Sequence, residues 1–201
     1  MLVKFEFQQE ELSMKTMFKT AVSQCKYSQA GQIKVYVISN IAPNRLKYID
    51  EVCSNLDDGR YRIFKPHCFN QYNEDNTKIE FEAFFKDQQE IDNADICLVL
   101  MPLYGRDCAA EIGYSQGMGK CVVAYVKQMS TNQENDWLND WMVKGFLDYI
   151  VTDDLAAYQK LSSDQFIKRH EEYINRKMVH LIKNQNSLDI KLEELMIEKS
   201  T

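Results

Sequence analysis

Glu111 is the residue that this sequence places best for chemistry. It follows the apolar run Ile96 to Met101 and the short loop Pro102-Leu103-Tyr104-Gly105-Arg106-Asp107, about one turn into a helix that leads to a second apolar run, Cys121 to Val126. Both runs are nearly continuous and rich in β-branched residues, as central parallel strands covered on both faces are. Strand, loop, helix and strand form a βαβ unit, and in an open parallel sheet the ligand site lies beyond the carboxyl ends of the strands. A carboxylate near the start of such a helix is expected to be held ionised by the unpaired amides there, ready to act as a nucleophile or a base. The same position also suits a glutamate that only complements the helix dipole.

The elements that must position Glu111 follow from the rest of the chain. In the N-terminal segment Leu12, Met14, Met17, Phe18 and Val22 recur at near-helical spacing, which suggests a helix packed on the domain. Ile33 to Ser39 reads as the first core strand. It runs into a loop, Ser39 to Arg45, and a helix for which Pro43 fits the start and Leu46, Ile49 and Val52 the buried stripe. This loop shares a sheet edge with the Glu111 loop. Asp57-Asp58-Gly59 is a turn, Tyr61 to Phe64 a second strand ending at Pro66, and Lys78 to Asn93 a helix feeding the central strand. His67, without a companion ligand or nucleophile, reads as a hydrogen-bonded loop residue. Beyond Val126, a short helix closed by Gly145 precedes a fifth strand, Leu147 to Thr152, and Asp153-Asp154 can begin another helix. The remainder, Ser163 to Ser200, is charged and helical in period. The pattern predicts an α/β fold: a flavodoxin/Rossmann-like open parallel five-stranded sheet with helices on both faces, plus N-terminal and C-terminal helical extensions. The expected divisions are an N-terminal extension at 1–32, a catalytic-type domain at 33–161 and a C-terminal extension at 162–201.

Composition narrows the function. The chain has 201 residues, of which 45% are hydrophobic and 27% charged, an ordinary globular balance. A formal charge of −6 argues against gripping a nucleic acid backbone and favours small ligands. No GxxxxGK[ST] loop occurs, and the GMGK at 117–120 falls at a helix end, where Gly119 fits a cap. The glycines lack G-x-G-x-x-G spacing, and no His/Cys cluster has metal-site spacing, so no cofactor or metal is implied. Six cysteines without CxxC pairs suggest free core thiols of a reducing compartment. With no signal-peptide pattern and no membrane-length apolar run, a cytoplasmic protein is expected, without membrane partners.

The string GRDCAAEIGYSQGMGK, with the strands around it, resembles the nucleoside 2-deoxyribosyltransferase family, over about residues 33–161. The resemblance implies that Glu111 is the nucleophile. It implies that Asp87, eight residues before Asp95, faces it across the pocket and handles the proton of the leaving base. Read without the resemblance, Asp87, Glu90 and Asp92 are interchangeable acids of one helix, and Tyr36 is a core strand residue. With it, Tyr36 lies near the base. The loop Ser39, Asn40 and Arg45 approaches the 5′ side of the sugar, although the family's glycine is replaced there by Ser39 and Asn40. The family's sugar-binding aspartate stands six residues before the glutamate, where this chain has Gly105, while Asp107 stands four before it. Arg106 is a candidate for a 5′-phosphate or for an ion pair with Asp107. The stretch with Trp137, Asn139, Asp140, Trp141 and Met142 would reach a neighbouring subunit's sugar pocket, which implies a homo-oligomer. The expected ligands are a nucleoside or nucleotide and a free nucleobase. Three functions follow: transfer of deoxyribose between bases, hydrolysis of a (deoxy)nucleoside 5′-monophosphate, or non-catalytic nucleotide sensing.

Overall fold

The computed structural model describes residues 21, 31–56, 59–68, 77–101, 105–127, 140–152, 154–167 and 180–181. The centre is an all-parallel sheet. Its strands are β1 (Ile33–Ile38), β2 (Tyr61–Phe64), β3 (Ile96–Met101), β4 (Cys121–Val126), β5 (Tyr149–Thr152) and β6 (His180–Leu181), in the order β2-β1-β3-β4-β5-β6. The first five match the strands expected from sequence to within two residues. The sixth is a correction: a helical period was expected across Ser163 to Ser200, yet His180 and Leu181 pair in parallel with Ile150 and Val151 of β5. An open sheet edge satisfies its backbone by taking one more strand, and a helical period in the sequence does not register that demand.

The strands alternate in what they present to each face. Val35 and Val37 of β1, with Ile96, Leu98 and Leu100 of β3, pack with Ile49, Val52, Cys53 and Leu56 of helix α1 (Leu46–Leu56). Buried Ala21, helical in conformation, joins this cluster. The other positions expected on the N-terminal helix, Leu12, Met14, Met17, Phe18 and Val22, lie outside the described residues. Tyr36 and Ile38, with Cys97, Val99 and Met101, face the opposite side. There they meet Ile91 of α2 (Thr77–Asn93), Cys108 and Ile112 of α3 (Arg106–Gly117), Val143 of α4 (Trp141–Gly145) and Ala157 and Leu161 of α5 (Leu155–Ser163). Helices therefore cover both faces. Among the described residues no helix is long and apolar enough to cross a membrane.

Local chemistry sets several element ends. Gly119 takes φ 72°, and Met118 and Gly119 amides donate to the carbonyls of Tyr114 and Gln116 at 2.9 and 3.0 Å, which ends α3 and turns the chain into β4. GMGK is thus a helix stop. Gly145 is the last residue of α4 but takes no positive φ, and a Cβ there would meet the Phe166 ring at 3.5 Å, an ordinary van der Waals contact. One expectation about cysteines fails. Cys53, Cys68, Cys97 and Cys108 are free, but Cys121 is disulfide-bonded. It is the half-buried first residue of β4, at a strand end that another segment can approach, whereas Cys97 is sealed inside β3.

Beyond α5, Asp164 accepts from the amides of Phe166 and Ile167 and from the Nζ of buried Lys144 at 2.5 Å. Burial pushes the Asp164 carboxyl up, but the Lys144 ammonium and the two amides outweigh it, so the net shift is downward. Asp164→Ala would leave a buried ammonium without its counter-charge, a loss of about 3 kcal/mol. The expected result is a melting temperature lower by about 6 to 12 °C in a thermal melt at pH 7.

Candidate active site

The chain leaves β1 through α1 toward β2 on one side, while β3 pairs with β1 on the other, with Val35 opposite Ile96 and Ile38 opposite Val99. Connections that depart in opposite directions open a crevice at the carboxyl ends of β1 and β3. The loop after β1 and the start of α3 line it, and they touch: a Cβ on Gly105 would lie 3.4 Å from the Asn40 side-chain nitrogen and 2.5 Å from the Asp107 carboxylate. Asn40 is held by its own turn, its Oδ1 accepting from the Ala42 amide at 3.0 Å. Ser39 is buried at the end of β1.

Three side chains converge beneath this crevice. The Tyr36 hydroxyl donates to Glu111 Oε1 at 3.1 Å and also interacts with the Asp87 carboxylate. Tyr36 reaches them because the pleat turns it toward the face that α2 and α3 cover. Burial and the two neighbouring carboxylates hold the phenol firmly protonated, as a donor. Of the three acids that the sequence leaves interchangeable on α2, only one belongs here. Glu90 pairs with Lys86 at 2.9 Å, and Asp92 accepts from the Tyr114 hydroxyl at 2.8 Å. Asp87 is the acid whose charge acts on Glu111.

The expectation that the helix start keeps Glu111 ionised is overturned. Its carboxyl is pushed up to about 8, first by burial and then by the Asp87 charge; the Tyr36 hydrogen bond pulls it down and Asp107 adds a smaller push up. Glu111 is the sixth residue of α3, and the influence of free amides fades beyond the first turn, so desolvation wins. Tyr36→Phe removes the one group that favours the ionised form. The Glu111 carboxyl is then expected to rise by about another unit, read by carboxyl-labelled NMR titration.

A brace that the sequence did not reveal ties the two acid-bearing helices together. Besides the Tyr114 bond, Lys120 Nζ donates to the carbonyls of Asp92 and Ala94 at 2.7 and 2.9 Å, binding the end of α2 to the turn after α3. Its signal in sequence is faint, since a lysine before a strand is an ordinary surface residue. Asp140 is engaged elsewhere, because its Oδ1 caps α4, accepting from the amides of Met142 and Val143 at 3.0 and 3.1 Å. Trp137 and Asn139 lie outside the described residues, as do Pro102, Leu103 and Tyr104; Trp141 and Met142 are exposed. Arg106 is exposed and Arg45 half-buried, and neither guanidinium has an ion pair or hydrogen bond among the described residues. His67, expected in a loop, lies in a single 3-10 turn (Pro66–Cys68), and it is hydrogen-bonded as expected, its Nε2 sharing Asp50 at 3.2 Å. Among the described residues no group of three or more His, Cys, Asp or Glu side chains is placed to hold a metal ion.

No protein-family model matches the chain, and no curated protein does. Among solved structures, the 2-deoxyribosyltransferase of the psychrotolerant bacterium Bacillus psychrosaccharolyticus is 20% identical, over 58% of this chain and 84% of its own, with a TM-score of 0.47. A conserved protein from Enterococcus faecalis V583 is 16% identical, over 79% of this chain and 96% of its own, with a TM-score of 0.45. Likeness of this degree says nothing about chemistry, which rests on the geometry of the site itself.

Proposed function

We propose that the protein cleaves the N-glycosidic bond of 2′-deoxynucleosides and passes the sugar to another base. The observation that carries this reading is the convergence of two carboxyl groups, Glu111 and Asp87, on one phenol at the switch point of the sheet. Breaking such a bond needs stabilisation of a sugar turning cationic at C1′ and a proton for a poor leaving group, and two carboxyl groups can divide that work. Glu111 attacks C1′ as the C1′–N bond breaks, and an ester between the Glu111 Oε and C1′ forms. The departing nitrogen takes its proton from Asp87. A second base, deprotonated by Asp87, then displaces Glu111; water in its place gives hydrolysis.

Burial and the Asp87 charge favour the protonated form of Glu111 before substrate binds, and that proton can serve the leaving base. Tyr36, in contact with both carboxyl groups, lies between the acid that must give it up and the acid that must deliver it. As the C1′–N bond breaks, the positive charge developing at C1′ beside Glu111 favours its ionised form.

A second reading, hydrolysis of a (deoxy)nucleoside 5′-monophosphate, is favoured by Arg45 and Arg106. Both flank the crevice mouth, and a planar guanidinium suits a phosphate. Incubating the protein with deoxyinosine and free adenine, with and without a 5′-phosphate on the donor, and resolving products by chromatography tests both. New deoxyadenosine is expected. Free hypoxanthine alone, released from the phosphorylated donor, would support the second reading, and no change in either donor would overturn both.

A further inference from the structure

The ring of Tyr36 is 1% exposed, so it offers no face to a ligand. The loop Ser39 to Arg45 carries no aromatic residue. Phe64, beside Tyr36 on β2, is packed against the core cluster of that face, so among the described residues the exposed aromatic side chains near Asp87 are those of α2. Helix α2 runs from the carboxyl edge of the sheet back toward the start of β3, with Ile91 buried against the strands and Asp87, one turn earlier, at the level of Tyr36 and Glu111. One further turn toward the helix start lies Phe84, about 4.5 Å along the axis and about 60° from the direction of Asp87. Its side chain is 56% exposed, and it meets Phe85 edge to face at 5.5 Å. Phe85 is 51% exposed but is turned about 160° from Asp87. Ala83, the other residue one turn from Asp87, carries only a methyl group and leaves room beside the Phe84 ring.

We propose that Phe84 is the stacking wall for the heteroaromatic base whose glycosidic nitrogen faces Asp87, and that this wall favours two-ring purines over one-ring pyrimidines. The inference rests on the glycosidic reading above for the place of the base, and on helix geometry and exposure for the wall. Stacking a base on an aromatic side chain gains with ring overlap, and its loss on truncation weakens binding by about 10- to 100-fold.

Free adenine and cytosine separate the wall from the reaction, because neither needs turnover to bind. By equilibrium dialysis the wild-type protein is expected to bind adenine more tightly than cytosine. Phe84→Ala weakens adenine binding by about 10- to 100-fold, and Phe85→Ala by less than about threefold. In base-release assays Phe84→Ala raises KM for deoxyadenosine by a similar factor with little change in kcat. Because Phe84 lies outside the core clusters, far-ultraviolet circular dichroism of the variant should match wild type. Unchanged adenine affinity in Phe84→Ala, or no adenine binding by wild type, overturns the stacking wall. Equal affinity for adenine and cytosine overturns the purine preference. If wild type binds adenine through Phe84 yet releases no base from any nucleoside, the glycosidic reading falls while the wall stands. If turnover is present and Phe84→Ala leaves KM unchanged, the reverse holds.

Discussion

Replacing Glu111 with glutamine is expected to lower base release by at least about 10⁴-fold while leaving the fold intact. An amide of the same shape cannot attack C1′, and the loss of a covalent nucleophile is among the largest single-residue effects in catalysis. The carbonyl of the substituted amide can still accept from the Tyr36 hydroxyl, so the local bond survives. Nor does the core suffer, since it is built from Ile112, Cys108 and the strand residues rather than from this carboxyl. A carboxyl pushed up to about 8 is one whose ionised form the folded protein resists, so its neutral analogue should melt at or above the wild-type temperature near pH 8. Chromatography of released base and a thermal melt on the same sample give both readouts. Turnover within about tenfold of wild type would remove Glu111 from the reaction, and a lost melting transition would mean the residue is structural.

How far the site can be read from sequence differs by residue, and the reasons are physical. The strands are legible because central parallel strands must be apolar on both faces; Ile96 to Met101 and Cys121 to Val126 carry that demand in every residue. Glu111 is legible because the βαβ pattern fixes where a helix start faces a crevice. Asp87 is not legible from the residues alone. Glu90 and Asp92 are spaced as well for the sequence, and only three-dimensional partners, Lys86 for one and Tyr114 for the other, take them out of contention. The ionisation state of Glu111 escapes the sequence, which shows the favourable helix start and hides the desolvation that outweighs it. Asp140 illustrates the opposite limit. An aspartate ahead of a short helix is first of all a cap, and its carboxylate is engaged as one.

Asp87→Asn should separate the two roles given to the acid pair, because its effects on charge and on chemistry run in opposite directions. Without the Asp87 charge, the second cause of Glu111's elevation disappears and burial alone remains as the main push, so the Glu111 carboxyl falls part of the way from about 8 toward its ordinary value. A more readily ionised nucleophile would by itself help the reaction. Base release is nonetheless expected to fall by about 10²- to 10⁴-fold, since no acid is left to protonate the departing nitrogen. Stability carries a matching signature. The folded protein binds the Glu111 proton more tightly than the unfolded chain, so the Glu111 contribution to wild-type stability is fully present below about pH 4.5 and is lost as pH rises toward about 8. Asp50 and Asp164, both lowered below 3.8, are ionised throughout that range and contribute a constant amount. Melting at pH 5 and at pH 8.5 should therefore show a drop for wild type and a smaller one for Asp87→Asn. A donor whose base is already cationic, such as 7-methyl-2′-deoxyguanosine, needs no proton, and Asp87→Asn should cleave it within about tenfold of the wild-type rate. Equal loss on that donor and on deoxyadenosine would show that Asp87 supplies something other than a proton, and an unchanged pH dependence of melting would show that its charge does not act on Glu111.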